Sequence, residues 1–223
     1  MATPIDRDSL SLGACYALAH AAQLLEDAAA LYASKRASSS FHLAVMAREE
    51  LGRFNLLSEQ HHALPENHTV DAKEVVESLS SHTKKLRAGQ SVVAVPMSRK
   101  AMTEWTAAIE RNDEVTVHRI SEENHERIDA LRQAQANALH QRRLKAQYVD
   151  LNPHDGQWSR PSDITTNDAS TLIRTVMVEI ANVLIASQGN AWLHAALARA
   201  GAQRPDMGPF THRIFARLAE GDA

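Results

Sequence analysis

A glutamate in the middle of an apolar helix stripe is the feature of this sequence that most restricts its fold. Residues 38–57 have the period of an amphipathic helix, and Glu50 falls inside the apolar stripe of that helix. The stripe consists of Leu43, Met46, Ala47, Phe54 and Leu57. A carboxylate that faces a hydrophobic core is unfavourable unless it is paired or hydrogen-bonded. Glu50 therefore predicts a polar partner inside a bundle of helices.

The composition favours helices and argues against binding of nucleic acid through bulk charge. Aromatic residues make up 4% of the 223 residues and there are only 8 glycines, whereas alanine and leucine are abundant. These proportions favour helices over strands. The formal net charge of −3 excludes a large basic surface for tight, non-specific binding to nucleic acid, but it is compatible with a small local basic site.

Three features of the sequence predict a cytoplasmic protein. Cys15 is the only cysteine, so no internal disulfide can form, and this fits a reducing compartment. The first segment, MATPIDRDSL, has neither a basic region nor an apolar run, so we expect no signal peptide. The most apolar stretch contains Arg174 and Glu179, and we expect these charges to make it too polar to span a membrane.

The hydrophobic period predicts one all-α domain over residues 1–223. The predicted helices span residues 9–33, 38–62, 71–87, 98–112, 114–147, 168–200 and about 208–219. The segment around Pro96 is predicted to be a connector or a break. Residues 148–165 contain two prolines and an Asp155-Gly156 turn signal, which predict a loop with a short hairpin.

Two other predicted helices also carry an ionisable residue on the apolar face. His82 shares a stripe with Val75, Leu79 and Leu86, and Arg142 lies on the stripe of the long helix. We therefore expect Glu50, His82 and Arg142 to meet. In one interpretation they form a structural network, in which Glu50 is paired with Arg142. In the other they form a functional polar centre with perturbed protonation states.

A metal site is the third alternative for the polar residues. Glu59-x-x-His62 and Glu122-x-x-His125 match the Glu-x-x-His element of di-iron helical bundles. Both pairs lie off the apolar stripes, and Glu59 is followed almost at once by the end of its helix. We therefore expect no metal and no other cofactor. The sequence also lacks a P-loop, a GxGxxG motif, a Cys-x-x-Cys pair and a GxSxG motif.

Three segments carry a family resemblance. The segment SSSFHLAVMAREELGRFNLL, residues 38–57, is similar to an A-x-x-x-x-E-E-x-G-K helix with Arg53 at the lysine position. The segment SSHTKKL, residues 80–86, is similar to a His-x-x-Lys element. The segment RRLKAQYVDLNPHDGQWSRPSDIT, residues 142–165, is similar to an Arg-rich helix end followed by Tyr-Val-Asp and a loop with Trp and Pro. In this order they resemble the AbiV family of bacterial abortive-infection proteins, which belongs among the HEPN helical proteins.

The resemblance implies an HEPN-like bundle of long antiparallel helices with a short loop or hairpin insertion near residues 148–165. It implies a phage-defence toxin that arrests growth or translation in the infected cell. It also implies a homodimer without membrane association, with a phage-encoded activator protein and RNA or the translation machinery as partners. The matched motifs imply a structural polar centre formed by Glu49, Glu50, His82, Lys85 and Asp150.

The sequence departs from the usual signature of HEPN ribonucleases, in which a histidine follows an arginine after four to six residues. At the matching place Arg143 is followed by Tyr148, whose ordinary pKa near 10 makes it a poor general base. Arg36-x5-His42 and Arg119-x5-His125 have the bare spacing, and we interpret both as surface coincidences.

Two functions remain open from the sequence. In the first, the protein is an RNA-directed toxin whose catalytic residues are Arg142, Arg143, Tyr148, His82 and Glu50. There His82 would move protons, Tyr148 would donate one, and Arg142 would hold Glu50 or a phosphate. In the second, it is a non-enzymatic helical dimer that binds a phage protein or a translation component.

The C-terminal helix favours a dimer modestly, because its apolar face must be covered by other apolar side chains. That face consists of Phe210, Ile214, Phe215 and Leu218.

Overall fold

The computed structural model describes residues 3–90, 98–151, 157–187, 190–199 and 207–222, and most of these residues are helical. The helices are α1 (Arg7–Ala33), α2 (Ala37–Ala63), α3 (Ala72–Ser80), α4 (His82–Ala88), α5 (Arg99–Glu110), α6 (Glu114–Gln147), α7 (Thr166–Ala186), α8 (Ala191–Arg199) and α9 (Met207–Asp222). Two antiparallel pairs of short strands accompany them, β1 (Pro4–Asp6) with β2 (Thr69–Asp71) and β3 (Asp150–Leu151) with β4 (Trp158–Ser159). The predicted all-α class is confirmed, and the β3–β4 pair is the expected short hairpin.

The long hairpin of α1 and α2 is the centre of the fold. Asp6 starts α1 by accepting a hydrogen bond of 2.7 Å from the Ser9 amide. The two helices are joined by a tight turn in which Lys35 has a φ of 60°. Alanines dominate the buried face of α1, which lets α2 approach closely along its length. These buried alanines are Ala14, Ala17, Ala21, Ala22, Ala28 and Ala29.

The remaining helices cover this hairpin on several sides. α8 and α9 pack against α1, α4 and α6 pack against α2, and α7 packs against both helices of the hairpin. α9 buries Phe210, Ile214 and Leu218 against its own chain, each at most 1% exposed, and leaves Phe215 half-exposed. The apolar face of the C-terminal helix is therefore covered without a second subunit, and it no longer supports the expected dimer.

The predicted helix boundaries hold for the longest helices and fail at two breaks. The predicted helix 114–147 is confirmed as α6. The predicted helix 71–87 is divided at Ser81, whose hydroxyl caps α4 by accepting a hydrogen bond from the Lys84 amide. The predicted helix 168–200 ends at Ala186, and α8 begins again at Ala191. The predicted connector around Pro96 lies outside the described residues.

α7 is the one described helix that is long and apolar enough to cross a membrane. It has 21 residues and its most apolar window has a mean hydropathy of 1.5, so the expectation that Arg174 and Glu179 make it too polar is wrong by this measure. Core helices of soluble proteins have the same length and composition. Here 44% of that window is buried inside the protein, where α7 packs against α1, α2 and α9.

Two glycines bring the backbones of α2 and α4 into direct contact. A Cβ atom on Gly52 would lie 1.8 Å from the carbonyl oxygen of Lys85. A Cβ atom on Gly89, just after α4, would lie 2.3 Å from the carbonyl oxygen of Arg48. Neither position has room for a side chain, since both opposing atoms are backbone. The glycine of the E-E-x-G motif is therefore explained by the close approach of α4.

Replacing Gly52 tests this contact. We expect Gly52→Ala to lower the free energy of unfolding by about 1–3 kcal/mol, because α4 must move away from α2. The matched control is Gly13→Ala in α1, where the new Cβ atom would lie 3.4 Å from Leu57 Cδ1. That change removes the flexibility of glycine from a helix and should raise the free energy of unfolding by roughly 0.5–1 kcal/mol. Urea unfolding of both variants measures the difference, and equal stabilities would contradict the proposed contact.

Candidate functional site

One buried carboxylate joins three helices. The side chain of Glu49 in α2 is 7% exposed, and its Oε2 accepts a hydrogen bond of 2.8 Å from Nδ1 of His82, the first residue of α4. Its Oε1 forms an ion pair of 3.2 Å with Nη1 of Arg143, near the end of α6. The guanidinium of Arg143 is also largely buried, with 13% of its side chain exposed. Glu49 therefore fixes α4 and α6 on α2.

The predicted pairing of Glu50 with Arg142 is wrong. Glu50 is largely buried, as predicted, with 14% of its side chain exposed, but its partner is Arg53 at 3.1 Å on the same helix. His20 of α1 lies farther away, at 4.0 Å. The residues that do meet, Glu49 and Arg143, are each one position from the predicted ones. Neighbouring residues point about 100° apart around the helix axis, and a wide apolar stripe does not determine which of two neighbours faces the core.

Arg142 has a different environment from the one predicted for it. Its Nη2 lies 2.6 Å from Oδ1 of Asp168 in the first turn of α7, and its guanidinium lies 4.9 Å from the centre of the Phe41 ring. Burial raises the pKa of Asp168, but the hydrogen bonds from Thr165 and the charge of Arg142 outweigh this and lower it. Arg142 therefore fastens α6 to α7 outside the Glu49 cluster.

Two histidines that the sequence did not assign to the site complete the cluster. The ring of His140 in α6 stacks on that of His82, with centroids 5.5 Å apart and planes at 17°. Burial lowers the pKa of His140, and the nearby Arg143 lowers it further. The same two causes lower the pKa of His42 in α2. The interpretation of His42 as a surface coincidence is wrong, because it lies half-buried near Arg143.

A signal for these two histidines was present in the sequence. His42 precedes Glu49 by two helical turns and His140 precedes Arg143 by one, so each lies on the same helix face as the residue it accompanies. The Arg-x5-His spacing includes His42 only through Arg36, and it does not include His140, which precedes Arg143. The other Arg-x5-His match is on the surface, as predicted, since His125 is 79% exposed and faces Asp129.

Lys85 belongs to the cluster, whereas Tyr148 lies at its edge. Lys85 is 6% exposed, and burial lowers its pKa, against the opposing effect of Glu49. Tyr148 is the C-cap residue of α6 and is 55% exposed. Asp150 lies in β3, and its side chain is outside the described part of the chain. We call Glu49, His82, Lys85, His140 and Arg143, together with His42, the polar centre.

The polar centre has the chemical groups for proton transfer and for holding an anion. Arg143 and Lys85 provide two cations against the single carboxylate of Glu49. A lowered pKa keeps His140 neutral near pH 7, so that it can accept a proton. The side chain of His82 is 46% exposed and gives the centre contact with solvent.

A second buried ion pair, between Arg48 and Glu179, fastens α2 to α7. Arg48 is 9% exposed and Glu179 is 4% exposed. Sequence reasoning took Glu179 only as a charge that interrupts an apolar stretch. Arg48 and Glu49 are neighbours on α2, so this short segment pairs with α7 on one side and with α4 and α6 on the other.

The Glu-x-x-His pairs do not assemble into a ligand set. Within the described ranges no group of three or more His, Cys, Asp and Glu side chains could hold a metal ion. Glu122 instead faces His118 at 3.1 Å, and both side chains are largely exposed.

Comparison with known protein families shows to which family the chain belongs. The HEPN_AbiV model, described as AbiV, matches residues 11–182. The chain belongs to the AbiV family of HEPN proteins. The matched range includes Glu49, His82 and Arg143, and the family resemblance seen in the sequence is confirmed. At the level of the family the function is abortive infection, a defence against phage. No curated protein and no solved structure matches the chain.

A double-mutant cycle tests the Arg48–Glu179 pair. We expect Arg48→Met to lower the free energy of unfolding by about 3–5 kcal/mol, because it leaves the buried Glu179 charge without that cation. Combining it with Glu179→Leu removes both charges and should give a protein more stable than Arg48→Met alone. Thermal and urea unfolding of the three variants measure this. If the double variant lost as much free energy of unfolding as the two single variants together, this would contradict a direct ion pair.

Stability should fall as the pH drops below neutrality. In the folded protein the pKa values of His42 and His140 lie below the unfolded value near 6.5. Between the two values the unfolded chain binds more protons, so the free energy of unfolding decreases as the pH falls through about 6.5. Urea unfolding between pH 7.5 and 5.5 should show a shallower decrease for His42→Gln/His140→Gln than for the unmodified protein. The exposed control His125→Gln should keep the original decrease, and an unchanged slope in the double variant would contradict the assignment.

Proposed function

We propose that the protein is an antiphage ribonuclease that arrests growth or translation in the infected cell by cutting RNA at the polar centre. The observation that supports this most is the meeting of two imidazoles, His82 and His140, beside the guanidinium of Arg143. A cation and two proton-transfer groups are the requirements for metal-independent cleavage of a phosphodiester. Spatial neighbours thus replace the histidine that is missing after Arg143 in the sequence.

The proposed reaction is an attack of the ribose 2′-hydroxyl on the adjacent phosphorus. Neutral His140 accepts the proton of that hydroxyl as the new P–O bond forms. Protonated His82 gives a proton to the 5′-oxygen as the old P–O bond breaks. The products are a 2′,3′-cyclic phosphate and a 5′-hydroxyl, and no oxidant or metal enters the balance. Arg143 and the nearby Lys85 offset the negative charge that develops on the phosphoryl oxygens.

Glu49 acts in this proposal as a positioning residue. Its carboxylate accepts the Nδ1 proton of His82, so the opposite ring nitrogen, Nε2, is the one that can face RNA. The same carboxylate holds Arg143. We do not include Arg142 among the proposed catalytic residues, because it is paired with Asp168. We do not include Glu50 either, because its nearest cation is Arg53. Tyr148, to which the sequence assigned proton donation, is 55% exposed at the edge of the centre, and here we give it only a contact with RNA.

RNA 5′-end mapping in phage-infected cells tests the proposal. Cells with the unmodified protein should show new RNA 5′ ends after infection, and cells with His140→Gln should not. His125→Gln is the matched control, since it removes an imidazole from an exposed face of the same helix. Melting curves of both variants must match the unmodified protein. New ends that persist with His140→Gln would contradict cleavage at this centre.

A non-enzymatic helical dimer is the second candidate function. It is favoured by the half-exposed Val178 and Ile185, which lie two helical turns apart on α7 and can support contact with another protein. In this case a phage protein or a translation component is bound, and the polar centre only locks the bundle. If the protein protects cells from phage and no new RNA ends form, the non-enzymatic dimer becomes the supported function.

A homodimer remains part of either proposal. Its test is sedimentation of the unmodified protein beside Val178→Glu/Ile185→Glu, whose new charges lie on this exposed face of α7. We expect a dimer that the double variant converts to monomer. A monomer at micromolar concentration without the substitutions would contradict it.

A further inference from the structure

The hairpin of α5 and the first part of α6 projects from the helical bundle. α5 packs on α6, whereas α6 contacts α4 and α2 farther along, where Asp129 faces Arg87 and Ala146 accepts a hydrogen bond from Ser38. Ala108 and Ile120 are buried in the hairpin, as a small apolar contact separate from the main core. We call residues 98–129 the arm. The part of α6 in it is roughly 24 Å long at 1.5 Å per residue.

One side of the arm carries an apolar groove. Met102, Trp105 and Ile109 follow one another on α5 at intervals of three and four residues, so they lie on one helix face. Met102 is 46% exposed and Ile109 is 44% exposed. At the tip of the arm Ala108, Ile109 and Val117 line a groove of about 380 Å³. Apolar side chains that form such a continuous exposed surface are typical of sites that bind another protein.

The arm also carries the net negative charge of the chain. Residues 98–129 contain eight Asp and Glu and five Lys and Arg, a difference of −3 that equals the formal net charge of all 223 residues. The rest of the chain is therefore neutral on balance. A partner that complements the charge of the arm is basic.

The positive charges of the arm lie away from the groove. Asp113 and Glu114 line the groove, and among the described residues no Lys or Arg side chain does. Arg119 pairs with Glu104 at 2.5 Å. Because Glu104 precedes Trp105 by one residue, it points about 100° away from it, along the other edge of the hairpin. The groove thus combines an apolar floor with carboxylates at its rim.

We propose that the arm binds a basic amphipathic helix of another protein. Apolar side chains of that helix pack along Met102, Trp105 and Ile109, and its Lys or Arg side chains pair with Asp113 and Glu114. An amphipathic helix presents an apolar stripe beside charged residues, and it commonly binds in a groove of this kind. The proposal rests on the arm alone and holds whether or not the polar centre cleaves RNA.

Selection from a displayed library of random peptides tests the proposal with the full chain. Peptides are selected on the unmodified protein and counter-selected on Ile109→Gln/Asp113→Asn/Glu114→Gln. Asparagine at position 113 can still cap α6 by accepting the hydrogen bond from the Thr116 amide. We expect the enriched peptides to carry net positive charge and apolar residues at helical spacing. Enrichment of acidic peptides, or of none that distinguishes the two proteins, would overturn the proposal.

Fluorescence anisotropy with an enriched peptide then separates shape from charge. Ile109→Gln should weaken binding by at least about tenfold, because the groove loses an apolar contact with the partner. The matched control Val115→Gln changes a side chain that is 81% exposed and does not line the groove, and it should leave the affinity unchanged.

The contribution of the rim is measured in the same way. Asp113→Asn/Glu114→Gln should weaken binding by at least about threefold at low salt, and the loss should shrink as salt screens the charges. Glu122→Gln/Glu126→Gln removes the same charge from exposed positions of α6 outside the groove and should leave the affinity unchanged. Equal losses in the two double variants would overturn the proposal.

Sedimentation distinguishes a second copy of this chain from a different partner. The proposal predicts that Ile109→Gln does not alter the oligomeric state. If this substitution separated a dimer into monomers, the groove would be occupied by another copy of the arm, and the proposal would be overturned.

Discussion

The carboxylate of Glu49 is the interaction on which the rest of the structure depends. It is 7% exposed, and a charge removed from water to that extent is stable only with charged or hydrogen-bonding partners. Its partners come from two other helices, through His82 of α4 and Arg143 of α6. Because this buried charge must be paired, α4 and α6 lie where His82 and Arg143 can reach it. It also brings together the groups that the proposed chemistry uses.

Five consecutive residues of α2, Arg48 to Gly52, make the contacts that hold the surrounding helices in place. Arg48 pairs with α7, Glu49 with α4 and α6, and Gly52 lets the backbone of α4 come into contact. Leu51 fills the core between them and is 1% exposed. The spacing of the E-E-x-G motif is thus a packing requirement first. Any chemistry of the polar centre depends on this packing, because α4 carries His82.

The sequence predicted the class of fold, the longest helices and the presence of a buried polar network, because these depend on hydrophobic period and composition. It placed α6 correctly at residues 114–147, since that helix is long and its ends carry clear signals. It failed at Ser81, where a side-chain cap outweighs a continuing apolar period. It also missed the β1–β2 pair, whose two strands are far apart in the sequence.

The identity of the partners in the polar centre could not be predicted from the period alone. Glu49 and Glu50 are adjacent, as are Arg142 and Arg143, and either member of each pair is compatible with a wide stripe. Which one faces inward is decided by the angle at which α6 crosses α2, a property of the packed bundle. His140 was missed for the same reason, since its relation to His82 exists only between helices.

Analysis of the RNA ends produced by the purified protein tests the central claim most directly. A defined RNA is incubated with the unmodified protein in the presence of EDTA, and the terminal groups are identified by mass spectrometry. The account predicts fragments with 2′,3′-cyclic phosphate and 5′-hydroxyl ends, because His140 and His82 carry out the reaction without a metal. Fragments with 5′-phosphate ends, or RNA that stays intact with a folded protein, would contradict it.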